Sequence, residues 1–298
     1  MRKSVIMSPY LLLTVGVLSV SFSAIFVKWS TAPASIIAMY RMLLTVLMLL
    51  PIGAWRYVIH GKLNKSDWIR LMLSGVFLAM HFLFWMESLK LTSVASSTVI
   101  LTLQPAFTMI GMLLFYRSKT SGARITSLVI AILGSLIIAW GDIDLSGQAL
   151  LGDVLSMLGA GAYAIHLLFG QQLMKKMSGE SYSFIVFFIA GLCLLVFNVF
   201  TNVEMYHYSF NNWLVFILLA LVSTVLGHML FNISLKYVDA TMISMSVVAE
   251  PVIASVLALI LLHESIVMVQ FVGGIITLLG VALYFFNPKK GIKLRGLR

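Results

Sequence analysis

Ten apolar runs, each about as long as a membrane-spanning helix, divide the sequence and leave little between them. They cover residues 10–29, 34–57, 68–89, 95–116, 122–140, 150–173, 183–203, 211–235, 240–262 and 266–286. About 20 consecutive apolar residues are enough for a helix to cross the hydrocarbon core of a bilayer. The strands of a membrane barrel alternate apolar and polar residues, whereas these runs are apolar on every side. The sequence therefore predicts an all-α integral membrane protein with ten transmembrane helices.

The composition excludes a soluble fold. Hydrophobic residues make up 61% of the 298 residues and charged residues only 10%. Soluble domains are about 45–50% apolar and about 25% charged, so a soluble fold of this chain would lack the polar groups that its surface needs. The single cysteine, Cys193, cannot form an internal disulfide. The run at 10–29 follows Arg2 and Lys3 as a secretory signal would, but its length favours a retained first helix.

The lysine and arginine residues predict the orientation of these helices. If the N-terminus is inside the cell, only Lys28 and Lys90 fall outside, and Arg41 lies within the second run. The other 17 of the 20 basic residues fall inside: Arg2, Lys3, Arg56, Lys62, Lys65, Arg70, Arg117, Lys119, Arg124, Lys175, Lys176, Lys236, Lys289, Lys290, Lys293, Arg295 and Arg298. Cytoplasmic loops are enriched in these residues. We therefore predict a multi-pass protein of the cell (inner) membrane with both termini in the cytoplasm.

The same distribution explains the net charge of +10. A strongly basic chain can indicate nucleic-acid binding, but here the charge is accounted for by the cytoplasmic loops and by the tail at 288–298. We expect that tail to lie next to anionic lipid.

The second half of the chain repeats the first. Segments 89–114 and 235–260 align without a gap at a shift of 146 residues, and the first and sixth runs align at a shift of 141. The pairs aligned at 146 are Lys90 with Lys236, Gln104 with Glu250, Pro105 with Pro251 and Gly134 with Gly280. Five helices per repeat is an odd number, so the second copy must enter the membrane from the opposite side, as in many secondary transporters. We therefore predict two inverted five-helix repeats, at 8–140 and 146–287.

A stripe of small residues lies in the sixth run. Gly152, Ser156, Ala160 and Ala164 are spaced four residues apart. Small residues let helices approach closely in lipid, so we expect this face to pack against a neighbouring helix.

A carboxylate and a proline lie in the middle of the ninth apolar run. Placing Glu250 there costs about 2.5–3.5 kcal/mol on insertion scales. Pro251, like Pro105 in the fourth run, leaves a carbonyl without its helical partner and kinks the helix. Such groups are tolerated where they are buried in protein or face water. We predict that the fourth and ninth runs face each other across a central cavity, with Gln104 and Glu250 at middle depth, and that Glu250 carries or senses a proton. The alternative is a neutral buried acid that serves packing alone.

Other polar residues within the apolar runs are weaker candidates for substrate binding. They are His81, Trp85, His166, His228, Asn232 and Arg41. Each histidine could sense pH or bind substrate, or could be buried with its hydrogen bonds satisfied. Trp85 could stack on a substrate or only line a helix, and Asn232 follows His228 by one turn and extends a polar strip. Arg41 could attract a carboxylate or, like Lys28, extend towards the membrane surface.

Several segments resemble EamA-type transporters of the drug/metabolite transporter superfamily. The strongest is AEPVIASVLALILLHESIVMVQFVGGIITLLGVAL at 249–283, with Glu250, Pro251, Glu264, Gln270 and Gly273 in that family's pattern; the others are 22–28, PASIIAMYR at 33–41, and 152–176. The first half departs from the pattern, because Ser118 stands where Glu264 would have its counterpart. The resemblance implies ten helices with cytoplasmic termini and the transport of small metabolites, often amino acids and in many cases outward.

The sequence lacks the motifs of a membrane-embedded enzyme. It has no His-Glu-x-x-His zinc motif, no Gly-x-Ser-x-Gly elbow and no Gly-rich phosphate loop with Lys. Asp142 and Asp144 could bind a metal-nucleotide, but they lie in a turn predicted on the outer face, where a solvated turn is the simpler interpretation. A channel would be favoured by a ring of like charges or a carbonyl filter, and one chain shows neither.

We therefore predict a secondary transporter, with no cofactor and no metal, that exports a small metabolite or amino acid by alternating access. A passive channel or facilitator is the first alternative, and a membrane-embedded enzyme is the second. The predicted partners are the small-molecule substrate, the lipid bilayer and protons as the coupling ion. Nucleic acid is excluded, and a homodimer is left open.

Overall fold

The computed structural model of the protein describes residues 8–56, 63–118, 120–140, 147–261, 263 and 267–286. Within these ranges the chain forms helices and no strands, which confirms the all-α prediction. The helices are α1 (Pro9–Trp29), α2 (Ala34–Leu49), α3 (Lys65–Leu91), α4 (Val94–Tyr116), α5 (Gly122–Trp140), α6 (Gly147–Leu173), α7 (Gly179–Phe200), α8 (Phe210–Ser234), α9 (Ala240–Leu261) and α10 (Met268–Phe286). The Asp142–Asp144 turn, Ser146, Glu264 and the tail at 288–298 lie outside the described residues.

Eight of these helices are long and apolar enough to cross a membrane. Helix α2 and the fully described part of α5, Gly122–Ile138, are apolar but shorter. Large apolar side chains point outwards from the bundle; Phe115, Trp140, Met268 and Phe286 are among the most exposed. Such a surface suits lipid and not water, so the protein is a multi-pass membrane protein.

The second helix is shorter than the predicted run at 34–57. Helix α2 ends at Leu49 and is followed by turns. Pro51 has no amide hydrogen with which to continue a helix. Gly53 then adopts φ of 76°, in the left-handed region that glycine tolerates. Apolarity continues past the end of the helix, so it could not locate this boundary.

Polar side chains mark where most of the long helices begin. The side chains of Ser93, Ser178, Ser209 and Asp239 each accept a hydrogen bond from a backbone amide in the first turn of α4, α7, α8 and α9. At α3, Asn64 and Asp67 form a reciprocal capping box. These bonds satisfy amides that have no partner within the helix.

The small-residue stripe of α6 packs against α3 and the start of α4. Gly152, Ser156, Ala160 and Ala164 are all buried. A methyl group added at Gly152 would lie 3.0 Å from Cβ of Leu91, and the Ser156 hydroxyl donates a 2.6 Å hydrogen bond to the carbonyl of Ser97. The predicted close packing of this face is confirmed.

Helices α5 and α10 cross through a pair of reciprocal contacts. A methyl group added at Gly134 would lie 2.4 Å from the amide nitrogen of Thr277, and one added at Gly280 would lie 2.4 Å from that of Ala131. At the shift of 146, Gly134 corresponds to Gly280 and Ala131 to Thr277. Gly134 thus contacts the counterpart of Ala131, and Ala131 contacts the counterpart of Gly134. A two-fold axis between the halves produces such an exchange of partners.

Candidate functional site

A narrow cavity lies at the centre of the bundle, between helices α1, α3, α4, α6, α8 and α9. Its lining residues are Val20, Ser23, His81, Trp85, Leu101, Gln104, Tyr163, His228, Phe231, Val247 and Glu250. Every polar member of this set is less than 10% exposed. The polar side chains of the cavity are therefore shielded from the surroundings of the bundle in this structure.

The walls of the cavity are built from corresponding positions of the two halves. At the shift of 146 residues, three pairs of lining residues match: Trp85 with Phe231, Leu101 with Val247, and Gln104 with Glu250. The sequence comparison used only the last of these pairs. The cavity therefore lies where the two halves meet.

Helices α4 and α9 are each interrupted immediately before their proline. In α4 the helical turns stop at Leu101 and resume at Gln104, and in α9 they stop at Val247 and resume at Glu250. Proline is well tolerated in the first turn of a helix, because amides there have no helical partner. Gln104 and Glu250 thus each begin the second segment of a broken helix, where the backbone amides favour negative charge.

The carboxyl group of Glu250 lies on the cavity wall. The residue is 5% exposed, and no hydrogen bond or ion pair from another described residue reaches its side chain. A buried carboxyl group that packing alone required would normally be hydrogen-bonded. Its counterpart Gln104 is 2% exposed, and its side-chain amide likewise has no hydrogen-bond partner among the described residues.

Arg41 is fully buried behind the cavity wall and does not extend to the membrane surface. Its Nε donates a 2.7 Å hydrogen bond to the Thr224 hydroxyl, and its Nη2 lies 3.2 Å from Nδ1 of His228. The guanidinium lies 4.2 Å from the centre of the Phe82 ring. It also interacts electrostatically with Glu250 without forming an ion pair. Its Nη1 atom has no partner.

His228 has two competing partners at one ring nitrogen. Its Nδ1 lies 2.9 Å from the carbonyl of Ser223 and 3.2 Å from Nη2 of Arg41. If Nδ1 carries the hydrogen it donates to Ser223, and if it does not it accepts from Arg41. Nε2 is then an acceptor in the first case and a donor in the second. His81 is simpler, since its Nδ1 lies 3.0 Å from the carbonyl of Gly159.

His166 and Asn232 lie outside the cavity lining. Nδ1 of His166 is 2.9 Å from the hydroxyl of Ser74, which also contacts the Tyr182 hydroxyl. The amide of Asn232 donates a 3.1 Å hydrogen bond to Ser183. The two residues belong to a buried network that joins α3, α6, α7 and α8. Of the predicted site residues, the structure places Glu250, Gln104, His81, Trp85 and His228 on the cavity, and Arg41 directly behind it.

The sequence prediction missed Tyr163. Its ring centre lies 4.8 Å from that of His81 and 5.5 Å from that of His228, so it packs between the two histidines. Its hydroxyl is buried and has no partner, and the same is true of Nε1 of Trp85. The signal was present: Tyr163 precedes His166 by three residues in an apolar run, on the same side of the helix. No cluster of three or more His, Cys, Asp and Glu able to hold a metal occurs in the described ranges.

Comparison with known proteins settles the family. The model of the EamA-like transporter family matches residues 7–140 and 150–286, nearly the whole chain. The chain belongs to the EamA-like transporter family. The resemblance seen in the sequence is thereby confirmed, and the two matched ranges correspond to two copies of one unit.

Relatives of this EamA-like transporter are also named as transporters. An uncharacterized transporter of Archaeoglobus fulgidus is 25% identical over 256 residues, which cover 83% of this chain and 86% of the relative. The uncharacterized transporter YxxF of Bacillus subtilis is 25% identical over 225 residues, covering 74% and 71%. A crystal structure with 13% identity matches the fold with a TM-score of 0.77 over 93% of this chain and 96% of the other. The protein is thus a transporter of the EamA type, which argues against an enzyme.

Proposed function

We propose that this protein is a secondary transporter that exports a small metabolite or amino acid from the cytoplasm by alternating access. Ten membrane crossings, arranged as two inverted five-helix repeats, would form its framework, with both termini in the cytoplasm. The observation that carries the proposal is the central cavity, which is lined by matching residues of the two halves and holds a carboxyl group that forms no hydrogen bond with the described part of the chain. Two similar halves that rock about such a site can expose it to each side of the membrane in turn.

Glu250 is the proposed proton carrier. Ionisable residues within membrane segments are rare because the charged form is costly there, and they commonly mark ion and proton pathways. Glu250 has no fixed hydrogen-bond partner, so its protonation state is free to follow the side to which the cavity opens. A carboxyl group that takes up a proton from the outside and releases it to the cytoplasm returns one proton for each substrate molecule exported.

The cavity lining also indicates which functional groups the substrate carries. Glu250 offers a hydrogen-bond acceptor, whereas Nε1 of Trp85 offers a donor and the Tyr163 hydroxyl can do either. The lining also contains Gln104, Ser23 and the two histidines His81 and His228, and its other members are aliphatic or aromatic. A small, partly apolar molecule with an amino group for Glu250 and a carbonyl or carboxylate for the donors would satisfy all three groups, and an amino acid has this form.

The decisive experiment is a metabolite screen on membrane vesicles with and without the protein. We expect inside-out vesicles that contain the protein to accumulate at least one small amino compound, with a rate that saturates and increases when a pH gradient, acidic inside, is imposed. Flux that neither saturates nor responds to the gradient would indicate a channel and contradict the proposal. Orientation is tested separately by labelling Tyr206→Cys, in a Cys193→Ser chain, from outside intact cells; protection of this exposed loop residue would reverse the proposed topology.

A further inference from the structure

One ion pair joins the two halves at the end of the bundle where α3 begins and α6 ends. Nζ of Lys176 lies 2.6 Å from Oδ2 of Asp67, and Nη1 of Arg70 lies 3.1 Å from Oδ1 of the same carboxylate. The Asp67 side chain is 1% exposed and that of Lys176 is 43% exposed. Asp67 belongs to the first half and Lys176 to the second. We call the contact between Asp67 and Lys176 the charged latch.

A second contact between the halves lies at the opposite end of the bundle, where α1 ends and α8 begins. Oδ1 of Asn212 accepts hydrogen bonds from the Ser30 hydroxyl at 2.7 Å and from the Thr31 amide at 3.1 Å. Nδ2 of Asn212 donates to the Thr31 hydroxyl at 3.1 Å. Asn212 is 4% exposed. We call the contact of Asn212 with Ser30 and Thr31 the neutral latch.

The two latches join equivalent pairs of helices at opposite ends of the bundle. Helices α3 and α6 form the charged latch, and their counterparts α8 and α1 form the neutral one. At the shift of 146 that relates α3 to α8, Asp67 falls on Trp213, one residue beyond Asn212. At the shift of 141 that relates α1 to α6, Lys176 falls on Ser35, so the helices correspond although the contacting residues do not. Because the halves have opposite orientations, corresponding contacts appear at opposite ends of the bundle, with the cavity between them.

We propose that the two latches are the gates of the cavity, each holding one entrance closed and each released in a different half of the transport cycle. The inference rests on the proposed alternating access and adds which contacts open. Both latches are formed in this structure, as expected of a closed intermediate. The gates differ in chemistry: dissolved salt screens a charged pair with a partly exposed lysine, but has little effect on neutral hydrogen bonds.

The test uses a single cysteine placed in the cavity. In a Cys193→Ser chain, Ser23→Cys puts a thiol on the cavity wall, where Ser23 is 1% exposed. A membrane-impermeant maleimide is applied to right-side-out and to inside-out vesicles. Lys176→Gln should increase labelling about two- to fivefold, the factor that a partly exposed ion pair contributes to an equilibrium, and only from the side on which α3 begins. Asn212→Ala should increase labelling only from the other side.

Matched controls separate gating from general loosening. Lys175→Gln removes an exposed lysine next to the charged latch, and Thr201→Ala removes a hydroxyl that bonds only within its own helix, at the end of the bundle that holds the neutral latch; neither should change labelling. Lys176→Arg keeps the charge and should behave as the unmodified chain. High salt should change labelling in the same direction as Lys176→Gln but by a smaller factor, because Asp67 is buried and its pair is only partly screened. This keeps the test valid even if that variant folds poorly.

The outcomes distinguish the latches from the proposed function. Unchanged labelling in both latch variants, or an equal increase from both sides, would show that these contacts only stabilise the fold. If instead the reporter in the otherwise unmodified chain reacts from each side as fast as a fully exposed cysteine, the cavity is open to both sides at the same time and alternating access itself is wrong, whatever the latch variants do.

Discussion

The two halves of the molecule place different chemistry on matching positions. At the breaks of α4 and α9 the first half presents Gln104 and the second half Glu250 to one cavity. The contacts that join the two halves also differ: at one end of the bundle Asn212 bonds to Ser30 through neutral groups, and at the other end Asp67 pairs with the charged Lys176. Duplication gives two halves of similar structure, and alternating access needs two such halves. Under the proposed mechanism, the differences in charge would supply what identical halves lack: a single group to take up a proton and two gates that differ in chemistry.

The largest expected effect is the loss of proton coupling when both halves present a glutamine to the cavity. Glu250→Gln keeps the size of the side chain and its capacity for hydrogen bonds, but the cavity then holds two amides that do not titrate. We expect this variant to fold and to bind substrate while losing its response to an imposed pH gradient in proteoliposomes. A Gln variant that retained the original rate and pH response would show Glu250 to be a structural residue.

Glu250→Ala serves as the companion to this experiment. It removes the acceptor as well as the titratable group, so we expect weaker substrate binding in addition to the loss of coupling. Comparing apparent affinities of the two variants separates hydrogen bonding from proton transfer.

The thermal stability of the protein should not show this asymmetry, because equivalent substitutions in the two halves should lower it by similar amounts. Gly134→Ala and Gly280→Ala each place a methyl group 2.4 Å from a backbone nitrogen of the partner helix. Overpacking of this kind costs about 1–3 kcal/mol, so both variants should lower the thermal stability in detergent, and by similar amounts. Gly161→Ala is the control, since nothing lies within 4 Å of its added methyl group. A large difference between the two crossing variants would mean that the reciprocal contact is not shared equally by the halves.

The repeated pattern of the sequence was enough to predict the relation between the halves. The shift that aligned Gln104 with Glu250 also matches Trp85 with Phe231 on the cavity wall, because a duplicated helix keeps its rotation as well as its length. Spanning helices were predictable from apolarity alone, since backbone polar groups in lipid must be satisfied within the helix. The end of α2 was not, because Pro51 and Gly53 end a helix without interrupting the apolar run.

Contacts between distant segments were the part that the sequence did not predict. The spacing of Tyr163 and His166 placed both on one side of α6, but in a run that is apolar on every side it could not show that this side meets the cavity, so Tyr163 was overlooked beside the small-residue stripe. The basic residue of the charged latch was interpreted only through membrane orientation. Its pairing with Asp67 spans 109 positions and depends on how the halves assemble.

Exchanging Gln104 and Glu250 tests whether the acid must lie in the second half or can function in either half. In the double variant Gln104→Glu, Glu250→Gln the cavity again holds one acid and one amide. Arg41 interacts electrostatically with Glu250, whereas Phe187 stands at the corresponding position of the second half. We therefore expect the pH response to return, with a transport rate between those of Glu250→Gln and the original chain. A double variant as inactive as the single one would show that the acid must lie on α9.

The smallest expected effect concerns Tyr163, whose counterpart at the shift of 141 is Phe22. Tyr163→Phe removes one buried hydroxyl that has no protein partner and leaves the ring between the two histidines. If the hydroxyl bonds to substrate, the apparent affinity should decrease about two- to tenfold, the net contribution of one hydrogen bond, with little change in the maximal rate. Tyr284→Phe is the matched control, because its hydroxyl is also buried without a partner but lies away from the cavity. Equal effects of the two substitutions would assign the change to folding, and no effect of either would exclude Tyr163 from substrate recognition.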